Sequence, residues 1–242
     1  MAAPVGTRVV GMTTTLITGG NKGLGYEAAR RLRDLGHSIV IGSRDASRGA
    51  DAAKSLEVDW VQLDVTSDAS VAAAADAFRD RWGALDVLVN NAGIAGPRVD
   101  VADVDGPMFA AILDTNSVSV VRMTHAFLPL LRESASPVIV NVASGLGSFA
   151  MRHDPNVLES KIPTLAYSAS KAAMTMLTTI YAQFLPDLRI NVVDPGYTAT
   201  DLNGNSGHQT VEEGTDAIVA MATIGKDGPT GEFHNRFGIV GW

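Results

Sequence analysis

The sequence of 242 residues contains no cysteine. This absence excludes disulfide bonds, thiolate catalysis and zinc sites built from thiolates. The five histidines are scattered without the spacing of metal ligands, so we expect no metal site. Basic residues are also scarce, 19 against 26 acidic ones, and they form no cluster. Because a protein that neutralises phosphates needs a basic face, we expect no nucleic-acid partner.

Long apolar runs are absent as well. None approaches the roughly 20 residues that a membrane-spanning helix needs. The amino-terminal stretch MAAPVGTRVVGM has no basic region followed by an apolar core. We therefore expect no membrane partner and a cytoplasmic location. Apolar residues nevertheless make up 46% of the chain, which is enough for a substantial core.

From residue 13 onwards, short β-branched runs alternate with longer alanine-rich segments of helical period. This alternation is typical of a parallel sheet with crossover helices. Strands are predicted at residues 13–18, 37–42, 58–63, 84–90, 136–142, 188–193 and 231–234. Helices are predicted at residues 24–35, 45–56, 68–82, 105–133 with a break, 166–185 and 209–222. The sequence thus predicts an α/β fold, a single doubly wound Rossmann domain over residues 1–242 with a seven-stranded parallel sheet, preceded by an extension at residues 1–12.

The first predicted strand leads into the turn TGGNKGLG, in which Gly19, Gly23 and Gly25 open a helix. Glycines at such a turn let the backbone approach a pyrophosphate, whose charge is favoured by free N–H groups and the helix dipole. A glycine turn alone is weak evidence, because tight turns need glycine in any case. Its place after the first strand predicts a dinucleotide site. The other candidate contacts in this turn are Asn21, Lys22 and Leu24.

The second predicted strand ends in IGSRD, where an NAD site would place an acid for the ribose 2′-hydroxyl. Ser43 and Arg44 stand there instead, and Lys22 is a second cation. A guanidinium pairs well with a 2′-phosphate, so we expect NADP as the cofactor. The alternative is that Arg44 is a solvated loop charge and that Asp45 serves NAD. We expect Asp45 to cap the following helix.

Right-handed crossovers bring the carboxyl ends of parallel strands to one edge of the sheet, so residues after each strand should converge there. The fifth strand is followed by Ser144, an exposed hydroxyl. The turn at Pro195 and Gly196 follows the sixth strand and would leave Thr198 and Thr200 against the nicotinamide end of the cofactor. Asn141, Asp114 and Asp194 are expected to have structural roles.

Tyr167 and Lys171 lie in LAYSASKAAMT, four residues apart. On a helix this spacing puts both side chains on one face. A pair on a solvated surface is the alternative. In a site, the ammonium, joined by the positive charge of an oxidised nicotinamide cofactor, would shift the pKa of the phenol toward the working pH, where a general acid or base is most effective.

Together, these features resemble the short-chain dehydrogenase/reductase family from about residue 13 to the carboxyl terminus, and most closely its NADPH-dependent carbonyl reductases. The resemblance rests on TGGNKGLG (18–25), Asp64 with Val65, NNAG (90–93), Asn116, Ser144, Tyr167 with Lys171, and the turn at 195–196 followed by Thr200. It implies that Tyr167 donates a proton to a carbonyl oxygen with help from Lys171. Ser144 would hydrogen-bond the carbonyl, and Asn116 would hold a water of the proton relay.

The resemblance also implies the remaining cofactor contacts. Asp64 and Val65 would lie at the adenine, and Thr198 and Thr200 would hold the carboxamide. The contacts expected along the adenosine ribose are Asn90, Asn91, Ala92 and Gly93. The implied activity is reduction of a small carbonyl substrate, a ketone or aldehyde, and its reverse. A 3-oxoacyl thioester reductase is an alternative, as is a non-catalytic NADP sensor, which usually lacks the tyrosine or lysine.

Ser144 and Tyr167 are 23 residues apart, about twice the interval usual in the family. Residues 145–166 are therefore expected to form an inserted loop beside the active site, where loops carry specificity. In some monomeric members an insertion here covers the subunit contact, so a dimer, a tetramer and a monomer all stay open. An apolar substrate pocket is expected from Phe149, Met151, Leu158, Ile162, Tyr197 and Leu202. His208 is expected to be exposed.

Overall fold

Parallel strands buried on both faces form the centre of the protein. The computed structural model describes residues 12–242, in which eight strands make one sheet of order β3-β2-β1-β4-β5-β6-β7-β8. The strands are β1 (Thr14–Thr18), β2 (Ser38–Ser43), β3 (Asp59–Gln62), β4 (Val87–Asn90), β5 (Val138–Val142), β6 (Arg189–Val193), β7 (Phe233–Asn235) and β8 (Gly238–Ile239). This doubly wound order confirms the predicted α/β Rossmann fold.

Helices connect the strands and cover both faces of the sheet. They are α1 (Gly23–Asp34), α2 (Ala46–Leu56), α3 (Asp68–Trp82), α4 (Gly106–Leu113), α5 (Ser119–Leu131), α6 (Phe149–His153), α7 (Leu165–Phe184), α8 (Val211–Gly214) and α9 (Asp216–Ala222). The core of one face includes Ile17 with residues of α1, α2 and α9, and that of the other includes Leu16 with residues of α3 and α5. Neighbouring residues of β1 thus enter opposite layers, as strand geometry requires.

The predicted count of seven strands is wrong by one. β7 pairs with β6 in parallel, and β8 then returns antiparallel to β7, with His234 opposite Ile239. The connecting turn is closed by Asn235, whose Oδ1 accepts from the backbone N–H of Phe237 at 2.8 Å. β8 has two residues, both exposed, so it lacks the buried β-branched run by which the other strands are predicted.

The predicted helix at 105–133 contains its expected break. Residues Asp114–Val118 between α4 and α5 form a π-helical turn. The Arg122 side chain spans this turn, donating to Asp114 Oδ1 at 2.7 Å and to Asp68 Oδ1 at 2.7 Å. The predicted helix at 209–222 is divided in a different way, because α8 ends and α9 begins on either side of Thr215.

The segment at residues 145–166 is more ordered than the predicted loop. It contains α6 and a 3₁₀ turn at Glu159–Lys161. Two backbone carbonyls of the carboxyl terminus anchor it: Gly241 O accepts from Ser148 Oγ at 2.6 Å, and Trp242 O accepts from Ala150 N at 2.9 Å.

Residues 1–11 of the predicted extension lie outside the described residues. Within residues 12–242, no helix is both long enough and apolar enough to cross a membrane.

Candidate active site

The carboxyl ends of the parallel strands bring the predicted residues to one edge of the sheet. Thr18 ends β1, Ser43 ends β2 and Asn90 ends β4. Ser144 and Asp194 follow β5 and β6. Open α/β sheets bind ligands in the crevice outside this edge, which we call the carboxyl edge.

The turn between β1 and α1 has the shape that a pyrophosphate requires. Gly19 and Gly23 have φ values of +64° and +56°, in the left-handed region that favours glycine. A Cβ on Gly25 would lie 2.5 Å from Asn91 Nδ2 and 2.6 Å from Gly19 O, so a side chain would fill the turn. The Lys22 side chain does not cap α1. The N–H groups of the first helical turn are therefore left for an anion.

Thr18 and Asn91 join this glycine turn to the turn after β4. Thr18 Oγ1 accepts from the backbone N–H groups of Asn91 and Ala92, both at 2.9 Å. Asn91 Nδ2 donates to Thr18 O at 2.8 Å and to Gly19 O at 3.3 Å. The side chain of Asn91, predicted to contact the cofactor, thus holds two turns together. Sequence reasoning missed Thr18, for which the strand-end hydroxyl is the sequence signal.

α7 brings Tyr167 and Lys171 to the end of β5. Lys171 is 4% exposed, and its Nζ donates to Val142 O at 2.8 Å. The same Nζ lies 5.6 Å from the centroid of the Tyr167 ring. The Ser144 hydroxyl forms a hydrogen bond with Tyr167. The structure thus places a phenol, an ammonium and a hydroxyl in one cluster. Because Lys171 is buried, the alternative of a Tyr167–Lys171 pair on a solvated surface is excluded.

The predicted lowering of the Tyr167 pKa includes the charge of an oxidised nicotinamide and stays a prediction for the protein with its cofactor, whereas in the chain alone this pKa is raised. Although part of the Tyr167 side chain remains exposed, burial raises the pKa of Tyr167 to about 12, with a contribution from the Asp194 carboxylate and opposition from the Ser144 hydrogen bond. Burial also lowers the pKa of Lys171 to about 8, because a buried ammonium loses its hydration. The phenol therefore keeps its proton at neutral pH.

The π-helical turn buries Asn116 against the same cluster. Asn116 Oδ1 accepts from Ile94 N at 2.8 Å, and its Nδ2 donates to Ile94 O and to Ser170 Oγ, each at 2.9 Å. A Cβ on Gly93 would lie 3.2 Å from Asn116 Oδ1 and 3.6 Å from Lys171 Nζ. Both amide hydrogens of Asn116 are used within the protein, so this side chain positions the turn after β4, and its nitrogen has no hydrogen left for a water.

The side chains at the end of β2 have different roles. Ser43 is buried, and its hydroxyl donates to Asp45 O at 2.9 Å, so this predicted contact is used locally. Asp45 caps α2 as predicted, because its Oδ1 accepts from Arg48 N at 3.0 Å. Arg44 is exposed, and within residues 12–242 no carboxylate lies at ion-pair distance from it.

Lys22, the second predicted cation, is paired in this structure. Its Nζ lies 3.1 Å from Asp201 Oδ2, and both side chains are largely exposed. Asp201 follows Thr200 directly, and a Cβ on Gly23 would lie 3.8 Å from Thr200 Cγ2. The glycine turn and the segment after β6 therefore meet at this ion pair.

The turn after β3 contains the predicted adenine contacts Asp64 and Val65. Val65 is buried, and Asp64 Oδ1 accepts from Thr66 N at 3.0 Å and from Thr66 Oγ1 at 2.7 Å. Hydrogen bonds from Thr66 lower the pKa of Asp64 and outweigh the rise caused by burial. Asp64 thus closes a turn at the carboxyl edge, and the structure brings it near Arg44, whose charge also lowers its pKa.

Hydrogen bonds within the same segment hold the turn after β6 in place. Gly196 has a φ of +72°, and Thr198 Oγ1 donates to Pro195 O at 3.0 Å. Thr200 begins a short 3₁₀ turn, and its backbone N–H donates to Asn203 Oδ1 at 3.2 Å. Thr198 is buried, its backbone N–H donates to Gly196 O at 3.0 Å, and its carbonyl oxygen accepts from Asn203 Nδ2 at 2.8 Å, so both its hydroxyl and its backbone are used within the turn.

The predicted pocket residues have different surroundings. Phe149, Leu158 and Leu202 are exposed by 68%, 44% and 46%, whereas Met151 packs against a buried cluster beside Gly145. His208 is exposed, as predicted, and its ring lies 5.9 Å from that of Tyr197.

A separate cavity of about 370 Å³ lies at the opposite edge of the sheet, lined in part by Thr13, His37 and Asp86. Within residues 12–242, no group of three acidic or histidine side chains could hold a metal ion.

The fold and the site define a class of protein. A family model described as short chain dehydrogenase matches residues 13–211. The chain therefore belongs to the short-chain dehydrogenase/reductase family of oxidoreductases, as the motifs predict.

Particular relatives are similar over nearly their whole length. A (+)-neomenthol dehydrogenase of Capsicum annuum is 31% identical, with 91% of this chain and 95% of the relative covered. The solved structure of salutaridine reductase from Papaver somniferum has a TM-score of 0.80 and 30% identity, covering 92% of this chain and 99% of that one. A carbonyl reductase from chicken fatty liver, solved with NADPH bound, has a TM-score of 0.84 and 25% identity, with 96% of this chain and 99% of that one covered.

Burial of Lys171 predicts a pH-dependent cost in stability. Its pKa is about 8 in the folded chain against an ordinary 10.5. The unfolded chain therefore binds more protons between these two values, and stability rises with pH across that window. The cost is fully present below pH 8, where it amounts to about 3 kcal/mol.

We expect Lys171→Met to raise the free energy of unfolding at pH 7 by up to about 3 kcal/mol and to lose most of this gain by pH 10.5. Urea unfolding at both pH values measures it. Lys54→Met, at an exposed position on α2, is the control and should show no such gain. A gain at Lys171 that is equal at both pH values would contradict desolvation of the ammonium as its cause.

Proposed function

We propose that the chain is an NADPH-dependent reductase that transfers a hydride to the carbonyl of a ketone or aldehyde, with alcohol oxidation as the reverse reaction. The observation that carries the proposal is the cluster of Tyr167, Ser144 and Lys171 at the same sheet edge as the glycine turn. The similar proteins support it, since two are named reductases and one of these was solved with NADPH. The non-catalytic sensor is disfavoured because both the tyrosine and the lysine are present in the cluster.

The cofactor fits the residues of the carboxyl edge, and when bound it would supply the hydride. The turn at Gly19 and Gly23 would hold the pyrophosphate, because both glycines have positive φ values and a Cβ on Gly25 would fill the turn. Arg44 would bind the 2′-phosphate, since it is exposed and without a carboxylate partner within residues 12–242. Lys22 would share its charge between this phosphate and Asp201.

The remaining cofactor contacts are proposed on position alone. Asp64 and Val65 would lie beside the adenine, and Thr198 with Thr200 would hold the carboxamide. The turn from Asn90 to Gly93 would line the adenosine ribose; there, the Asn91 side chain shapes the turn through Thr18.

The proton comes from Tyr167. The phenol is protonated at neutral pH because its pKa is raised to about 12, so it can donate to a carbonyl oxygen that gains negative charge. The Ser144 hydroxyl, already hydrogen-bonded to Tyr167, would also bind that oxygen. Lys171, held by Val142 O, would place its ammonium where phenolate forms. Asn116 would support any relay water through its backbone, since its amide hydrogens are used.

The substrate is proposed to be a small molecule that enters beside the segment at residues 145–166. Phe149 and Leu158 on this segment are exposed apolar side chains, which suits an apolar ketone or aldehyde. A cytoplasmic location stays a prediction.

The oligomeric state, a dimer, a tetramer or a monomer, also stays a prediction. The apolar side chains Met176, Ile180 and Phe184 of α7, which a subunit contact could cover, are exposed by 61%, 47% and 75%.

Tyr167→Phe tests the proposed acid. The change removes the transferable proton and conserves nearly all of the side-chain volume. We expect a folded protein that binds NADPH normally and reduces carbonyl compounds at least about 10²-fold more slowly. Single-turnover reduction at saturating NADPH measures the step, and Tyr181→Phe on the same helix is the control. A rate within about threefold of the parent's would show that Tyr167 is not the acid.

Arg44→Asp tests the proposed cofactor. We expect the parent to prefer NADPH over NADH by about 10²- to 10⁴-fold in kcat/KM, from charge-assisted contacts to the 2′-phosphate. The variant should narrow or reverse this preference and keep the fold. Arg79→Asp, an exposed position on α3, controls for the general change in charge. Equal or better use of NADH by the parent would refute the cofactor assignment.

A further inference from the structure

A buried carboxyl group, that of Asp194, lies between two turns of the site. Asp194 is 5% exposed and directly follows β6. Its Oδ1 accepts from Gly196 N at 2.9 Å, and the backbone N–H of Gly145 faces the carboxyl group and lowers its pKa. A Cβ on Gly145 would lie 3.1 Å from Oδ2, so the carboxylate and that turn are in close contact.

The two donors belong to turns with different proposed tasks. Gly145 follows Ser144, whose hydroxyl bonds Tyr167, and Gly196 precedes Thr198, which is placed at the cofactor. A carboxylate offers an acceptor oxygen to each turn at once. Asparagine would present its NH₂ group to one of the two N–H donors, and glutamate would displace both oxygens by a methylene group.

The groups that face Asp194 come from several elements. Tyr167 on α7 feels its charge, and the Glu159 carboxylate of the 3₁₀ turn faces it as well. On the β7 side, Asp194 N donates to His234 O at 2.8 Å, and His234 Nε2 lies 2.6 Å from Glu232 Oε2.

Among the described residues, no cation lies at ion-pair distance from Asp194. Lys171, on the same helix as Tyr167, donates instead to Val142 O. Burial raises the pKa of Asp194, and the N–H groups of Gly196 and Gly145 oppose this rise.

We propose that Asp194 is a positioning residue that ties the Ser144 turn to the Pro195–Gly196 turn and acts electrostatically on the Tyr167 phenol. The inference rests on the proposed carbonyl reduction, to which it adds a residue outside the reacting atoms. Two substitutions test the positioning of the turns and the electrostatic effect separately. Asp194→Glu keeps an ionisable carboxyl group but moves its acceptor oxygens, whereas Asp194→Asn removes the ionisable group and one acceptor.

Both variants should lower kcat for carbonyl reduction by between about 10- and 100-fold, the range for small misplacement of a reacting group, with KM for NADPH little changed. Only Asp194→Asn should also move the pH profile of alcohol oxidation, to lower pH by at least about 0.5, because a negative charge that opposes phenolate is gone. Tyrosinate absorbance of the cofactor-free protein, taken as the difference from the same protein carrying Tyr167→Phe, should move in the same direction.

Asp187→Asn at the other end of β6, an exposed carboxylate paired with Arg132, is the control and should match the parent in every measurement. A kcat within about twofold of the parent's in both Asp194 variants overturns the positioning role. If neither the pH profile of oxidation nor the tyrosinate titration moves in Asp194→Asn, the proposed electrostatic effect of Asp194 on Tyr167 is wrong. If Asp194→Asn does not fold, the kcat of Asp194→Glu decides the positioning role.

The failure of this inference differs from the failure of the proposed function. A parent protein that reduces no carbonyl compound with NADPH overturns the function. The tyrosinate titrations need neither cofactor nor substrate, so they still test whether Asp194 acts on Tyr167.

Discussion

Burial of the Lys171 ammonium constrains the rest of the site. An ammonium out of water needs acceptors, and Val142 O supplies one at 2.8 Å. To reach it, α7 must pass close to the turn after β5. A Cβ on Gly147 would lie 2.6 Å from the carbonyl carbon of Lys171, and one on Gly93 would lie 3.6 Å from Nζ. Glycine at position 147 makes room for the backbone of the helix, whereas a Cβ at position 93 would be in ordinary contact with the ammonium.

The same close approach explains why polar side chains hold turns together throughout the carboxyl edge. Thr18 and Asn91 join the turns after β1 and β4, and Asn116 joins the latter to α7 through Ser170. Asp194 does the same for the turns after β5 and β6. Thr18, Asn91 and Asp194 pair backbone N–H or C=O groups in this way, and buried groups of this kind are costly when unpaired. The site is therefore shaped before any ligand arrives.

The fold was predictable because its signals are local. Buried β-branched runs such as that of β1 mark the strands, and Asp45 before α2 is a local cap signal that the structure confirms. β8 was not predicted because two exposed residues carry no pattern. The ion pair of Lys22 with Asp201 joins residues 179 positions apart, so no local pattern indicates that this cation already has a partner.

The pKa of Tyr167 in the chain alone also depends on contacts that are distant in the sequence. The spacing of Tyr167 and Lys171 indicates that a cation lies near the phenol, but it reveals neither the burial of the phenol nor the carboxyl group of Asp194, which follows β6. Those two effects raise the pKa of Tyr167 to about 12 in the chain alone. A phenol with so high a pKa is protonated at neutral pH in the chain alone. Burial and the Asp194 carboxyl group thus set the protonation state of Tyr167, and neither can be read from the local spacing.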